Sequence, residues 1–211
     1  MSSGEVTTPA ADQRRDQMLE AAAALIAERG FSETRITDVA RRAGASPALV
    51  VYYFGTKDQL LTEALRWSET SFYDMADRML DETPGVQERL ERIMQMTFVA
   101  EEGDSSSWGM WFDLWAQAFR HEEVKQDRAD LDARWRAMII DVVKSGQASG
   151  EIGKVDARAF ALTFSALLDG LAIQVALSDP EVDPEKAYKI AMTFAERELG
   201  LRPIRRRRAT A

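Results

Sequence analysis

Between 12 glycines and six prolines, the chain repeats apolar residues at three- and four-residue spacing rather than in alternation, the pattern of helices with one buried stripe. Strands are left no room, and the pattern predicts an all-α fold of about nine helices. The first is expected over residues 12–29, with Met18, Ala22, Leu25 and Ile26 on one stripe and Gly30 at its end. Two short helices follow at 36–43 and 47–54. Longer ones are expected at 57–80, 86–101, 107–120, 122–145, 155–177 and 184–199, with loops at 103–107 and around Gly146, Gly150 and Gly153. A length of 211 residues, 45% of them hydrophobic, supplies enough volume for a real core.

Several chemistries are excluded by what is missing. Cysteine is absent, which removes disulfides, thiolate nucleophiles and cysteine metal sites together, and the single histidine, His121, removes most histidine triads. His121 beside Glu122 and Glu123 falls at an expected helix junction, where capping explains it better than metal ligation. No metal and no cofactor are therefore expected. No run approaches about 18 apolar residues, and residues 1–10 lack the basic start and apolar stretch of an export signal. A cytoplasmic protein without membrane contact is expected.

A net charge of −8 argues against a nucleic-acid partner when taken alone. Its distribution matters more. Residues 12–58 are neutral, with Arg14, Arg15, Arg29, Arg35, Arg41, Arg42 and Lys57 balanced by as many acids. The acidic excess lies in 59–201, and 202–211 is purely basic through Arg205, Arg206, Arg207 and Arg208. Four segments follow: a disordered arm at 1–11, a helix-turn-helix DNA-binding head at 12–58, a larger helical effector-binding and dimerisation domain at 59–201, and a disordered basic tail at 202–211.

The head rests on two short helices joined by a tight glycine turn, the second opened by Ser46 and Pro47 as N-cap and first helical residue. Ala40 is small where the helices must approach, Gly44 permits a positive φ in the turn, and Val50 and Phe54, four apart, anchor the second helix inward. Ala48, Leu49, Val51, Tyr52 and Tyr53 are left partly outward. Core packing accounts for some of them; a DNA major groove would cover the rest, with thymine methyls against Leu49 or Val51 and phosphates or base edges within reach of the tyrosines.

The run GFSETRITDVARRAGASPALVVYYFGTKDQLL, residues 30–61, resembles the DNA-binding domain of the TetR (tetracycline repressor) family of bacterial transcriptional regulators. Glu-Arg-Gly-Phe, Ile-x-Asp-Val-Ala, Ala-Gly-x-Ser, Tyr-x-Phe and Lys-Asp-x-Leu stand in register over residues 14–65. The resemblance implies a three-helix head, a helical effector domain and a homodimer on an operator. It also implies groove-facing positions at Pro47, Ala48, Leu49, Val51, Tyr52 and Tyr53, and phosphate contacts at Thr34 or Arg35, Thr37, Ser46 and Lys57. Leu49, often threonine in the family, and Val51, often tyrosine, replace hydrogen-bonding groups by apolar ones, which suggests packing against methyl groups. WGMWFDLWAQAF, the GEIGKVD loop and LLDGLAIQVAL are similar to the C-terminal domain of a branch that includes choline-responsive regulators.

In the second domain Trp108, Trp111, Phe112, Trp115 and Phe119 share one helix face. Such a stripe is either packed core or the wall of a pocket formed by Trp111, Trp115, Phe119, Trp135, Met138 and Phe164, suited to an apolar, aromatic or cationic effector. Asp113, Gln117 and Asp169 are candidate polar anchors. The last two helices offer Phe160, Leu167, Leu171, Val175, Tyr188 and Met192 for a four-helix dimer interface, unless one subunit buries them. Together these features predict a repressor released from a palindromic operator by a small molecule, with the helix at 57–80 as the mechanical link. An all-α carrier or enzyme using carboxylates such as Asp113 or Asp169 is the alternative, and a helical protein adaptor a third.

Overall fold

The computed structural model describes residues 9–98, 106–120 and 122–201. Among them are nine α-helices and no strand: α1 (Pro9–Arg29), α2 (Ile36–Arg42), α3 (Pro47–Phe54), α4 (Lys57–Asp81), α5 (Val86–Phe98), α6 (Ser106–Arg120), α7 (Glu122–Ser149), α8 (Ala157–Ala176) and α9 (Pro184–Leu199). The all-α expectation holds. The basic tail, His121 and residues 1–8 of the expected arm lie outside the described residues; residues 9–11 of that arm are already helical.

The chain divides into two compact units. One contains α1–α3, α4 to Asp74, α6 and the start of α7; the other contains the end of α4, α5, the rest of α7, α8 and α9. In the first unit α1 packs on both α2 and α6. Met18, Ala22, Ile26, Val39, Val50 and Leu60 are buried there, so the expected stripe of α1 and the inward anchors of α2 and α3 share one core. Ala43 and Ala45 donate back to the Val39 and Ala40 carbonyls at 2.9 and 2.8 Å, closing the end of α2, and Gly44 takes φ +60° in the turn. Ser46 Oγ then accepts from Leu49 N at 3.2 Å, with Pro47 at the first helical position.

The second unit is built on α5, α8 and α9, which pack on one another. Leu90, Ile93, Met94, Ile139 and Leu168 are fully buried, and three rings stack through the core: Phe160 on Phe164 at 5.1 Å and Phe194 on Phe160 at 6.0 Å. The Asp156 carboxylate accepts from the Arg158 and Ala159 amides and Asp183 from Lys186, capping α8 and α9. α8 is long and apolar enough to cross a membrane by length and composition. Its inner side, from Phe160 through Phe164 and Leu168 to Ala172, is instead buried against protein.

Besides the earlier start of α1, the end of α7 departs from expectation. α7 runs through Gly146 to Ser149, and Gly150, at φ +81°, closes it. Gly146 is there for close approach: a Cβ at that position would lie 2.3 Å from Val86 Cγ2 and 2.8 Å from Ile152 Cδ1. The loop that follows returns to cap α5, with Glu151 Oε2 accepting from Val86 N at 3.0 Å. That amide and the Ser149 hydroxyl hold the Glu151 carboxyl below its ordinary value against the opposing effect of desolvation, and the Arg89 charge adds a lesser push in the same direction as the hydrogen bonds.

Candidate DNA-reading face and aromatic cluster

The eight residues of α3, PALVVYYF, contain no charge, and their inward and outward sides are sharply separated. Val50 and Phe54 are buried; Pro47, Ala48, Val51 and Tyr52 are exposed, with Val51 45% and Tyr52 77% accessible. Positions i, i+1, i+4 and i+5 form one continuous outward strip. Leu49 and Tyr53 are half-buried beside it, and the Tyr53 ring meets Tyr52 edge-on at 5.6 Å.

The residues expected to touch phosphate sort differently. Arg35 precedes α2 and is exposed, as is Thr37 in its first turn. Thr34 is fully buried, its hydroxyl donating to the Gly30 carbonyl at 2.9 Å, so it serves the head's own turn and cannot reach a phosphate. Ser46 Oγ is engaged as the N-cap of α3. Lys57 Nζ donates to the Ser32 carbonyl at 2.8 Å, pinning the turn before α2 to the start of α4. Of the other head arginines, Arg41 and Arg29 pair with Asp38, Arg42 with Glu28 and Arg15 with Glu63, while Arg14 donates to the Gln17 side chain. Arg15 also lies over the Phe54 ring at 5.3 Å.

Two features of this unit escaped the sequence reading. Thr56 and Gln59 form a reciprocal capping box at the start of α4, the Gln59 amide donating to Thr56 Oγ1 and the Thr56 amide to Gln59 Oε1. The Thr-x-x-Gln spacing is visible in the sequence and could have announced it. The Asp113 carboxylate accepts the Phe31 amide at 2.7 Å, tying α6 to the turn after α1, and nothing local in the sequence signals that bond. Asp113 is thereby placed as a structural acceptor.

On α6 the rings of Trp108, Phe112 and Trp115 gather, with centroids 5.9–6.4 Å apart. The Arg128 guanidinium of α7 lies over Trp115 at 5.5 Å. Trp111 is half-buried, whereas Phe119 is 93% exposed and lies outside the cluster. Trp135, Met138 and Phe164 belong to the second unit; Trp135 is half-buried, Met138 buried, and Phe164 lies in the ring stack of the core.

Of the expected interface residues, Phe160, Leu171 and Met192 are already buried inside the second unit, because their faces of α8 and α9 pack within it. Leu167, Val175 and Tyr188 are half-buried. The outermost apolar side chains of this pair of helices are Leu162, Leu177 and Ile190.

A helix-turn-helix head with an uncharged, outward recognition helix, in a chain with a second helical unit, defines a DNA-binding transcriptional regulator. Residues 18–64 match the model for bacterial regulatory proteins of the tetR family, and residues 86–200 match that for the C-terminal domain of BetI-type transcriptional repressors. The chain belongs to the TetR family, in its BetI-type branch. It is 29% identical to the HTH-type transcriptional regulator BetI of Pectobacterium carotovorum subsp. carotovorum, over 88% of this chain and 94% of that one. It is 25% identical to BetI of Rhizobium meliloti, over 88% and 89%. Among solved structures, a transcriptional regulator from Saccharomonospora viridis in complex with choline superposes with a TM-score of 0.79 at 29% identity, covering 88% of this chain and 96% of that one. These relatives are regulators of transcription.

Proposed function

We propose that two copies of this chain form a cytoplasmic repressor that holds a palindromic operator and releases it when a small methylated ammonium ion, choline or a close relative, binds at the rings of α6. The observation that carries this reading is the cluster of Trp108, Phe112 and Trp115, in which the Arg128 guanidinium already lies over Trp115. Indole faces attract cations, and quaternary ammonium ligands are recognised by such rings. The complex of the Saccharomonospora viridis regulator with choline supports the same chemistry here.

For the dimer, the outward side of α8 presents Leu162, Ala166, Gly170 and Ile173 at helical spacing, flanked by Ile190 of α9. Open space surrounds the Cβ position of Gly170, so a partner helix can come close there. Such a dimer reads two half-sites about 34 Å or a multiple apart.

The test is operator affinity, followed by fluorescence anisotropy, with choline or its neutral isostere 3,3-dimethylbutanol in excess. Choline is expected to weaken binding and the isostere is not. A hundredfold release requires a preference of about 2.7 kcal/mol between the two conformations. Operator affinity unchanged at choline concentrations that saturate the tryptophan fluorescence response would overturn the reading.

A further inference from the structure

We propose that α3 recognises its half-site chiefly by the C5-methyl groups of thymine, with Val51 as the specificity residue. The inference rests on the operator reading above and names the bases that the operator must contain.

In the major groove guanine is matched by arginine or lysine, adenine by asparagine or glutamine, and cytosine by an acid; thymine is singled out by its methyl group. α3 has none of the first three kinds of side chain. The hydrogen-bonding groups next to it are largely engaged in the head itself: Ser46 caps α3, Thr34 is buried on the Gly30 carbonyl, Lys57 holds the Ser32 carbonyl, and Arg41 and Arg42 pair with Asp38 and Glu28. What the helix turns outward is Pro47, Ala48 and Val51, with the Tyr52 hydroxyl as a polar end.

A valine left 45% exposed in the middle of a recognition helix has apolar surface that water does not favour. A thymine methyl covers it, and a cytosine at the same place presents an amino group that Val51 cannot satisfy. Removing a single methyl from such a contact is expected to weaken binding about fourfold, from the usual free energy of burying one such group. The two symmetric half-sites together then lose roughly fifteenfold.

The experiment begins by selecting duplexes from a random pool with the full-length protein, then replaces each thymine of the selected site by deoxyuridine, which deletes the methyl and leaves the pairing edge intact. Weakening is expected at one or two thymines per half-site. Val51→Ala, an exposed position, is expected to bind the thymine and uracil duplexes equally at that step while melting at the same temperature as the parent. A selected palindrome that tolerates uracil everywhere, or a Val51→Ala protein as sensitive to uracil as the parent, would overturn the proposal and leave operator binding intact. Failure to enrich any site would overturn the operator reading itself.

Discussion

Replacing Asp113 by alanine removes the acceptor of a hydrogen bond that spans 82 residues of sequence and joins α6 to the turn after α1. At 2.7 Å to a carboxylate oxygen, the bond is of the charge-assisted kind, worth about 1.5–3 kcal/mol. Asp113 and Phe31 are both half-buried, so water partly replaces the acceptor and the lower half of that range applies, about 1.5–2 kcal/mol. For a chain of this size each kcal/mol moves the melting midpoint by about 2–4 °C, so Asp113→Ala is expected to melt about 3–8 °C lower. Asp113→Asn keeps an acceptor oxygen without the charge and is expected to lose about half as much. Calorimetry at one fixed protein concentration reads the shift, and hydrogen exchange at the Phe31 amide locates it. Unchanged melting together with unchanged Phe31 exchange in the alanine variant would refute the reasoning. Equal loss in both variants would assign the effect to charge and not to the hydrogen bond.

Gly146→Ala ought to stabilise α7 by about 1 kcal/mol on helix propensity alone. The contacts waiting for its Cβ at 2.3 and 2.8 Å reverse the sign, and a net loss of about 1–2 kcal/mol is expected in urea unfolding; a gain would show that Val86 and Ile152 yield freely. Phe164→Ala is expected to cost about 3–5 kcal/mol through the ring stack and to leave the choline affinity of the folded fraction unchanged, since Phe164 is core; a change in affinity at constant fold would place it in the effector site. Because the folded carboxyl of Glu151 titrates below its reference value of 4.5, its stabilisation is complete above that pH and fades as pH falls through the lower folded value. Glu151→Gln is therefore expected to be less stable than the parent at neutral pH, with the gap closing in acid; a gap independent of pH refutes the assignment. Gly170→Arg is expected to yield monomers in sedimentation, and an unchanged dimer would move the interface off that side of α8.

How much of this was legible in the sequence depended on whether the determining contact was local. α3 and α9 begin and end where the sequence placed them, because Ser46-Pro47 and Asp183-Pro184 state their N-caps and Gly55 and Gly200 their ends. Gly146 looked like a terminator and proved to be a packing glycine; its reason lies in Val86, 60 residues away. Helical periodicity put five aromatic residues on one face of α6 but could not say what that face meets, and the rings divide between a cluster and an exposed Phe119. The same limit governed α8 and α9. α8 is apolar on both sides and α9 carries Ile190 outside its buried stripe, so only packing reveals that Phe160, Leu171 and Met192 lie on the inner sides. In the head, Thr34 and Ser46 carried the right chemistry for phosphate, and the local turns required it first.

That engagement of polar groups has a consequence for how this regulator finds its site. A head that is neutral over residues 12–58, with Arg15, Arg29, Arg41 and Arg42 paired with acids, projects little net field, so long-range steering toward DNA is weak and the association rate is expected to vary little with salt. Close contact is another matter, since exposed pairs contribute little and a phosphate can compete for Arg41 or Arg42. Counting Arg35 and Lys57 with these two gives two to four phosphate contacts per head. A dimer then has a slope of log K against log salt of about −3.5 to −7. Arg205, Arg206, Arg207 and Arg208 supply the one block of cations not balanced by adjacent acids, so a chain ending at residue 201 isolates the head's own share. If that shortened chain still gave a slope steeper than about −9, the head would be using cations that the structure assigns to its internal ion pairs, and the neutral-head argument would fail. A slope within the range, unchanged by removing the tail, would mean that discrimination comes from the base edges under α3 rather than from phosphate attraction.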